Sequence, residues 1–426
     1  MSSKSKEKFK ETEIGMIPEG WDVRRIDQLG KVVTGKTPPT VDADNFGGDY
    51  PFVTPRDMKG QKHVFETERY LSKNGKDLLK SSLLPEKSVC VSCIGSDMGK
   101  VVMTVRESIT NQQINSIIPT TVSPDFVYYS LLNTSDKIKN LGKQSTAVPI
   151  LNKTQFSKIS VAVPSSEDEI NKISKILSDL DLKIELNQQI NKTLESIGQA
   201  LFKRWFIDFE FPNEKGKPYK SSGGEMVDSE LGEIPKAWAV GRLSDICDIT
   251  MGQSPPGETY NEVGEGLPFY QGIADFGFRF PNRRVYCTGP TRFAKEKDVL
   301  LSVRAPVGSL NVADEQCAIG RGLASLCLKE RHNGFLYYLL RATKSGWEKF
   351  EAEGTVFGSV TKSDVHDFQV IIPPESLIEK FSSLISALDE AISTNEKQSR
   401  TLTTIRDSLL PNLMSGRIRV NTEATL

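Results

Sequence analysis

Apolar side chains follow two rhythms along this chain. Over residues 165–209 they fall at Ile173, Leu177, Leu180 and Ile184, pass through Asn187, and return at Leu194 and Leu201. Residues 375–416 repeat the pattern at Phe381, Ile385, Leu388, Ile392, Asn395, Leu402 and Leu409. Three-, four- and seven-residue steps put these side chains on one helical face, the seam of a coiled coil. Each stretch predicts one long helix, about 40 residues and so about 60 Å. Ser165-Ser166-Glu-Asp-Glu supplies capping residues and acids at the first helix start. Asn187 and Asn395 sit on the apolar seam, where a polar residue fixes register. Outside these stretches the rhythm shortens. Runs at 88–94, 100–105, 114–118 and 159–163 read as strands between dense turn signals, and 124–133 as a short helix with Asp125 near its start.

The pattern is written twice. Ile17-Pro18 and Trp21 return as Ile234-Pro235 and Trp238, and Gly35 with Pro38-Pro39 as Gly252 with Pro255-Pro256, all 217 positions on. Phe126-Val-Tyr-Tyr returns as Phe335-Leu-Tyr-Tyr, 209 on, and Leu180-Asp181 as Leu388-Asp389, 208 on. A unit of one globular part and one long helix has been duplicated and has diverged. The expected architecture is α+β: two mixed α/β globular domains related by internal pseudo-two-fold symmetry, joined by two long helices that form an antiparallel coiled coil. The expected segments are an N-terminal arm at 1–13, a first domain at 14–164, a helix at 165–209 and a linker at 210–233. A second domain at 234–374, a second helix at 375–416 and a tail at 417–426 follow.

Composition narrows the chemistry. No apolar run among the 426 residues is long enough to span a bilayer, and the charged start lacks the apolar core of a signal peptide. Six scattered cysteines in such a chain suggest free thiols and the reducing cytoplasm. Cys90 and Cys93 form a C-x-x-C inside a strand-like run, where positions i and i+3 point to opposite faces, so no metal site is expected. The net charge of −1 gives no ready argument for nucleic acid, though what matters is a basic face. The segment from Gly30 to Thr37 matches the phosphate-loop spacing G-x-x-x-x-G-K-T. Pro38-Pro39 follows where a helix should open, and the second copy lacks both the first glycine and the lysine. There is no Asn-Pro-Pro-aromatic or Asp-Pro-Pro-Tyr tetrapeptide for amino-methyl transfer, and the three histidines are isolated. The chain reads as a binder without catalytic residues. A coiled-coil protein scaffold and a nucleotide-hydrolysing switch remain as alternatives.

The motifs Ile-Pro-x-x-Trp at 17–21 and 234–238, and the segment from Leu201 to Phe209 (Leu-Phe-Lys-Arg-Trp-Phe-Ile-Asp-Phe), carry a resemblance. So do the segment from Gly223 to Glu233 and Leu409-Leu-Pro-Asn-Leu-Met-Ser-Gly. The chain resembles the specificity subunit of type I restriction-modification systems. The resemblance implies that each globular domain is a target recognition domain reading one half of a bipartite, asymmetric site in double-stranded DNA. The paired helices would set the spacer. It also implies two modification subunits, which methylate adenine N6 with S-adenosylmethionine, and restriction subunits that use ATP and Mg. This chain itself would hold no cofactor.

The residues that would read DNA are not carried over by the resemblance, because such domains vary freely there. From residue type and loop position the candidates are Thr34, Lys36, Thr37, Arg56, Gln112 and Gln113 in the first domain. In the second they are Gln253, Ser254, Arg304 and Arg321. Glutamine pairs bidentately with adenine and arginine with guanine. Phe202, Trp205, Phe206 and Phe209 are more aromatics than one helix end needs for itself; they are expected to be exposed for a partner subunit, to cap the coiled coil against the second domain, or both.

Overall fold

The structure is a computed structural model and describes residues 8–143, 149–352 and 359–420. The chain divides into two compact units. The first runs to Leu186 and takes in the chain from Gln398 onward; the second spans Asn187–Lys397. Each unit therefore holds a globular part and portions of both long helices. Residues 1–7 of the expected arm and 421–426 of the expected tail lie outside the described residues.

In the first unit, strands β1 (Gly30–Thr34), β2 (Val89–Ser92), β3 (Val101–Thr104) and β4 (Ile114–Pro119) form an antiparallel sheet in the order β1-β4-β2-β3, with His63–Val64 added at the far edge. Every residue of β2 and β3 is buried, because both faces of the sheet are covered. Val89, Val91, Val101 and Met103 pack with helix α1 (Pro124–Asn133) and with Ile170, Ile173 and Leu177 of helix α2 (Glu167–Phe202). Cys90, Val102 and Ile114 pack the opposite way, with Val53, Met58 and Val64. Cys90 and Cys93 fall in different core clusters, as strand alternation dictates.

The second unit repeats this arrangement. Strands β5 (Cys247–Met251), β6 (Val299–Ser302), β7 (Leu310–Val312) and β8 (Leu323–Leu328) lie in the order β5-β8-β6-β7. Helix α3 (Asn333–Ala342) and Phe381 and Ile385 of helix α4 (Glu375–Met414) cover one face.

Three expected boundaries change. Phe9–Thr12 is no loose arm but pairs antiparallel with Gly15–Pro18. The expected linker contains the matching hairpin, Met226–Ser229 with Gly232–Pro235. Each hairpin turn is closed by a hydroxyl, Thr12 Oγ1 to Gly15 O at 2.7 Å and Ser229 Oγ to Gly232 O at 2.6 Å. Beyond α4, Arg419 leaves the expected tail to form two hydrogen bonds with the buried Glu169 carboxylate, which also accepts from Trp21 Nε1.

The long helices run antiparallel within each unit. In the first, Asp181 meets Arg406 while Glu169 meets Arg419. In the second, Asn191 Nδ2 donates to Glu396, and Asn395 Nδ2 donates to Asn191 Oδ1 at 2.9 Å. Asn187 is fully buried, and its Nδ2 reaches the Asn395 backbone carbonyl at 3.4 Å.

The aromatic segment after α2 is buried, which favours capping against the second domain over exposure. A π-helical turn at Lys203–Ile207 turns Trp205 and Phe206 inward, and Phe209 ends the turn in the left-handed region at φ 60°. Phe206 and Phe209 pack against Trp238, and Phe202 against Phe335 and Phe381. All four expected partner-binding aromatics are under 10% exposed: Phe202 2%, Trp205 7%, Phe206 4% and Phe209 7%. Transfer from water favours this strongly, at about 1.5–3 kcal/mol per large apolar side chain. They build the second unit's core.

A buried ionic network ties each globular part to the helices of its own unit. Lys62 Nζ donates to Asp125 Oδ1 (2.5 Å) and Ser178 Oγ (2.8 Å). Tyr129 OH donates to Asp181 Oδ2 at 2.6 Å, and Arg406 donates to the other oxygen of Asp181 at 2.6 Å. In the second unit Arg279 pairs with Glu195, and with Asp389 at 2.9 Å. It also donates to Tyr338 OH and lies 4.0 Å over the Tyr337 ring. Lys62 and Arg279 are matching positions, for the Lys62 carbonyl accepts from Met103 N and the Arg279 carbonyl from Val312 N. Burial works against the Arg279 charge, but Tyr337, Glu195 and Asp389 outweigh it and hold its pKa above the usual arginine value.

Candidate nucleic-acid interface

Strand pairing gathers the candidate residues at one end of each sheet. Thr34 at the end of β1 pairs with Asn115 at the start of β4, and Ser92 at the end of β2 pairs with Ile114. The loops that follow β1 and β2 and the segment that precedes β4 therefore emerge together. Val53 lies parallel to Thr110 and accepts from Asn111 N at 3.0 Å, which adds the turn holding Arg56 to the same end. Lys36, Arg56 and Gln112 are exposed there; Thr37 and Gln113 are half-buried. Thr37 Oγ1 donates to Gln112 Oε1 at 2.5 Å, and Asn111 Nδ2 to Gln113 Oε1 at 2.8 Å. Thr34 turns inward, its hydroxyl bonded to Asn115 Oδ1 at 2.7 Å.

The second unit presents the same scaffold with other side chains. Met251 pairs with Ala324 and Ser302 with Leu323. Gln253 takes the place of Lys36, and Ser254 that of Thr37. Arg321 takes the place of Gln112, its N–H lying 3.4 Å from Ser254 Oγ. Arg304 follows β6 and bridges to Ser359, as Ile94 bridges to Ile150 in the first unit. Gln253, Arg304 and Arg321 are exposed.

Close backbone packing makes the two loops alike. A Cβ on Gly35 would lie 2.1 Å from the Asn111 carbonyl oxygen, and one on Gly252 would lie 2.1 Å from that of Gly320. Only glycine fits such an approach. The amides on this path are already used. Gly35 N donates to Ile114 O and Lys36 N to Thr110 O. No helix opens after Thr37. A phosphate loop needs those N–H groups free and a helix start behind them, so this loop does not cradle a nucleotide phosphate.

Charge on this face is available to a ligand. Among the described residues Lys36, Arg56, Arg304 and Arg321 form no ion pair, whereas Arg283 and Arg284 nearby are held by Asp314, Glu315 and Asp275. A cleft beside the first unit's loop is lined by Arg56, Glu68, Arg69, Asp97, Asn111 and Gln113, so it mixes cations, acids and amides. Arg69 and Asn111 were not legible as site residues from sequence. Arg69 is carried there over the Phe46 ring at 4.1 Å, a contact no spacing announces. Asn111 stands next to Gln112, and its adjacency to a singled-out pair was the available signal.

Comparison with known proteins agrees with the repeat. A profile of the type I restriction modification DNA specificity domain matches residues 18–196 and again residues 235–404. The MjaIX specificity subunit of a type I restriction enzyme from Methanocaldococcus jannaschii is 31% identical, over 97% of this chain and 96% of its own. The putative MjaX specificity subunit of the same organism is 30% identical over 98% of both chains. The crystal structure of the type I restriction-modification system S subunit from M. genitalium shares the fold with a TM-score of 0.58, at 16% identity and over 92% of this chain and 96% of that one. With both repeats matched and relatives alike from end to end, this chain belongs to the type I restriction-modification DNA specificity family, and its two globular parts are target recognition domains.

Proposed function

We propose that residues 14–164 and 234–374 each read one half of a bipartite, asymmetric DNA site through the loop ends described above. One observation carries this reading. Two matched backbone scaffolds hold different polar side chains at the same places: Lys36, Thr37 and Gln112 in one, Gln253, Ser254 and Arg321 in the other. Side chains of these types recognise base edges, and their difference makes the two half-sites differ. The unpaired cations add phosphate contacts despite the chain's net charge of −1. The antiparallel helices act as the ruler for the unspecified spacer, with Asn187 and Asn395 fixing their register. The helices also recruit two modification subunits, which carry S-adenosylmethionine, and through them restriction subunits that use ATP and Mg. Leu182 and Leu186 in the first unit, and Ile190 and Ile197 in the second, are exposed apolar side chains suited to that contact. Catalysis belongs to the partners.

The test is co-expression with the modification subunit in a host free of adenine methylation, followed by genome-wide mapping of N6-methyladenine. One bipartite motif methylated on both strands is the expected result. Gln112→Ala should relax one half-site and Arg321→Ala the other, each by about 1–3 kcal/mol at a single base. A pure scaffold would yield a co-purified complex and no new methylation.

A further inference from the structure

A recognition domain is useful only at a defined angle to its ruler. The apolar contacts between globular part and helix, at Ile173 and Leu177 or at Phe381 and Ile385, are non-directional. They hold a domain down without fixing its rotation. The buried networks differ in kind, because each hydrogen bond has one good geometry. Lys62 is 2% exposed and Arg279 3%. Each grips the helices of its own unit: Lys62 through Ser178, and Arg279 through Glu195 and Asp389.

The two copies have diverged widely, yet this feature is kept in both. A cation stands at 62 and 279, a tyrosine pair at 128–129 and 337–338, and an aspartate at 181 and 389. These three pieces lie at three different offsets, so no single stretch of unchanged sequence explains their joint survival.

We propose that Lys62 and Arg279 are positioning residues. They fix the angle of each recognition domain on the helices of its unit, and through that angle the spacer length the protein accepts. The proposal rests on the DNA-reading function above. The lever is short: a rotation of about 10° at a radius on the order of 20 Å, the scale of such a domain, moves a reading loop by about 3.4 Å, the rise of one base pair.

The experiment maps N6-methyladenine for the wild-type and variant complexes and compares sites by spacer length. Arg279→Met should raise methylation at sites one base pair longer or shorter at least about fivefold, with the half-site bases unchanged. Arg279→Lys keeps the charge but loses the fork that reaches Glu195 and Asp389 together, and should broaden the profile less than Arg279→Met but measurably. Leu300→Ala, in the core on the sheet face away from the helices, lowers stability without touching the network and should leave the spacer profile alone. Where Arg279→Met does not assemble, Tyr338→Phe removes one acceptor and should give about twofold broadening. A wild-type spacer profile in the assembled Arg279→Met or Tyr338→Phe complex overturns the proposal. Equal broadening in Leu300→Ala also overturns it, since general loosening would then suffice. If the wild-type complex methylates no bipartite motif, the underlying reading has failed first.

Discussion

Asp181 and Asp389 stand at matching places in the two units, yet they are neutralised from opposite sides. In the first unit the partner is Arg406, which comes from a helix, while Lys62 of the globular part looks to Asp125. In the second the partner is Arg279 of the globular part, and the helix position matching Arg406 is Gly198. A Cβ on Gly198 would lie 2.1 Å from Tyr338 OH. The helix gave up a cation and opened a notch, and the globular part supplied a longer cation instead. With Arg341 3.5 Å from Glu195, each cluster sets two cations against two carboxylates, although the residues that supply them differ.

The comparison can be broken most directly at the cations. Arg279→Met takes the main partner from buried Glu195, which keeps only Arg341 at 3.5 Å, and from half-buried Asp389, and should cost about 3–5 kcal/mol, the usual loss when one partner of a buried pair is removed. Lys62→Met should cost less, about 1.5–3 kcal/mol, because Asp125 is 39% exposed and Asp181 keeps Arg406. Urea denaturation with hydrogen exchange would rank the two and assign each loss to its unit; equal losses would mean the clusters are interchangeable. Next comes Gly198→Ala. Alanine gains about 1 kcal/mol of helix propensity, but the clash with Tyr338 should reverse the sign and leave a net loss of about 1–2 kcal/mol. A more stable variant would show that the notch is not needed.

A further effect is a control common to both units. Burial pushes the Cys90 thiol up to about 12, Cys93 to about 11, and Cys247 and Cys317 to about 12. A raised folded pKa gives stability that is complete below the ordinary thiol value near 9 and is lost as pH rises toward 12. The denaturation midpoint should therefore fall smoothly above pH 9 in both units together. Loss in one unit alone, followed by thiol labelling under mild denaturant, would contradict the equal burial of the two cores.

The helices and the repeat were legible because apolar spacing reports burial directly. The networks were not, because nothing in sequence distinguishes a buried acid on an amphipathic helix from an exposed one; Asp181, Glu185 and Glu195 are all at most 5% exposed. Only the return of Leu-Asp at 180–181 and 388–389 hinted otherwise. The burial of the segment from Phe202 to Phe209 was not legible because its aromatic surplus is taken up by Trp238, Phe335 and Phe381, which are distant in sequence. The hairpin Met226–Ser229 with Gly232–Pro235 hid behind a linker-like composition. Its twin was visible in Glu13-Ile-Gly15 against Glu230-Leu-Gly232. On the candidate interface, strand order gathered residues chosen for residue type and loop position, while Arg69 needed the aromatic stack that carries it there.

The close approaches at Gly35 and Gly252 set the course of the candidate loops largely through the backbone. A loop whose shape owes little to its own side chains can change its letters without changing its frame. On the proposed function, new sequence preferences would be reachable by single substitutions at 36–37, 112, 253–254 or 321, each leaving a folded protein to be tried. Under that proposal the architecture separates what is said from how it is held, and a lineage could vary the first without risking the second.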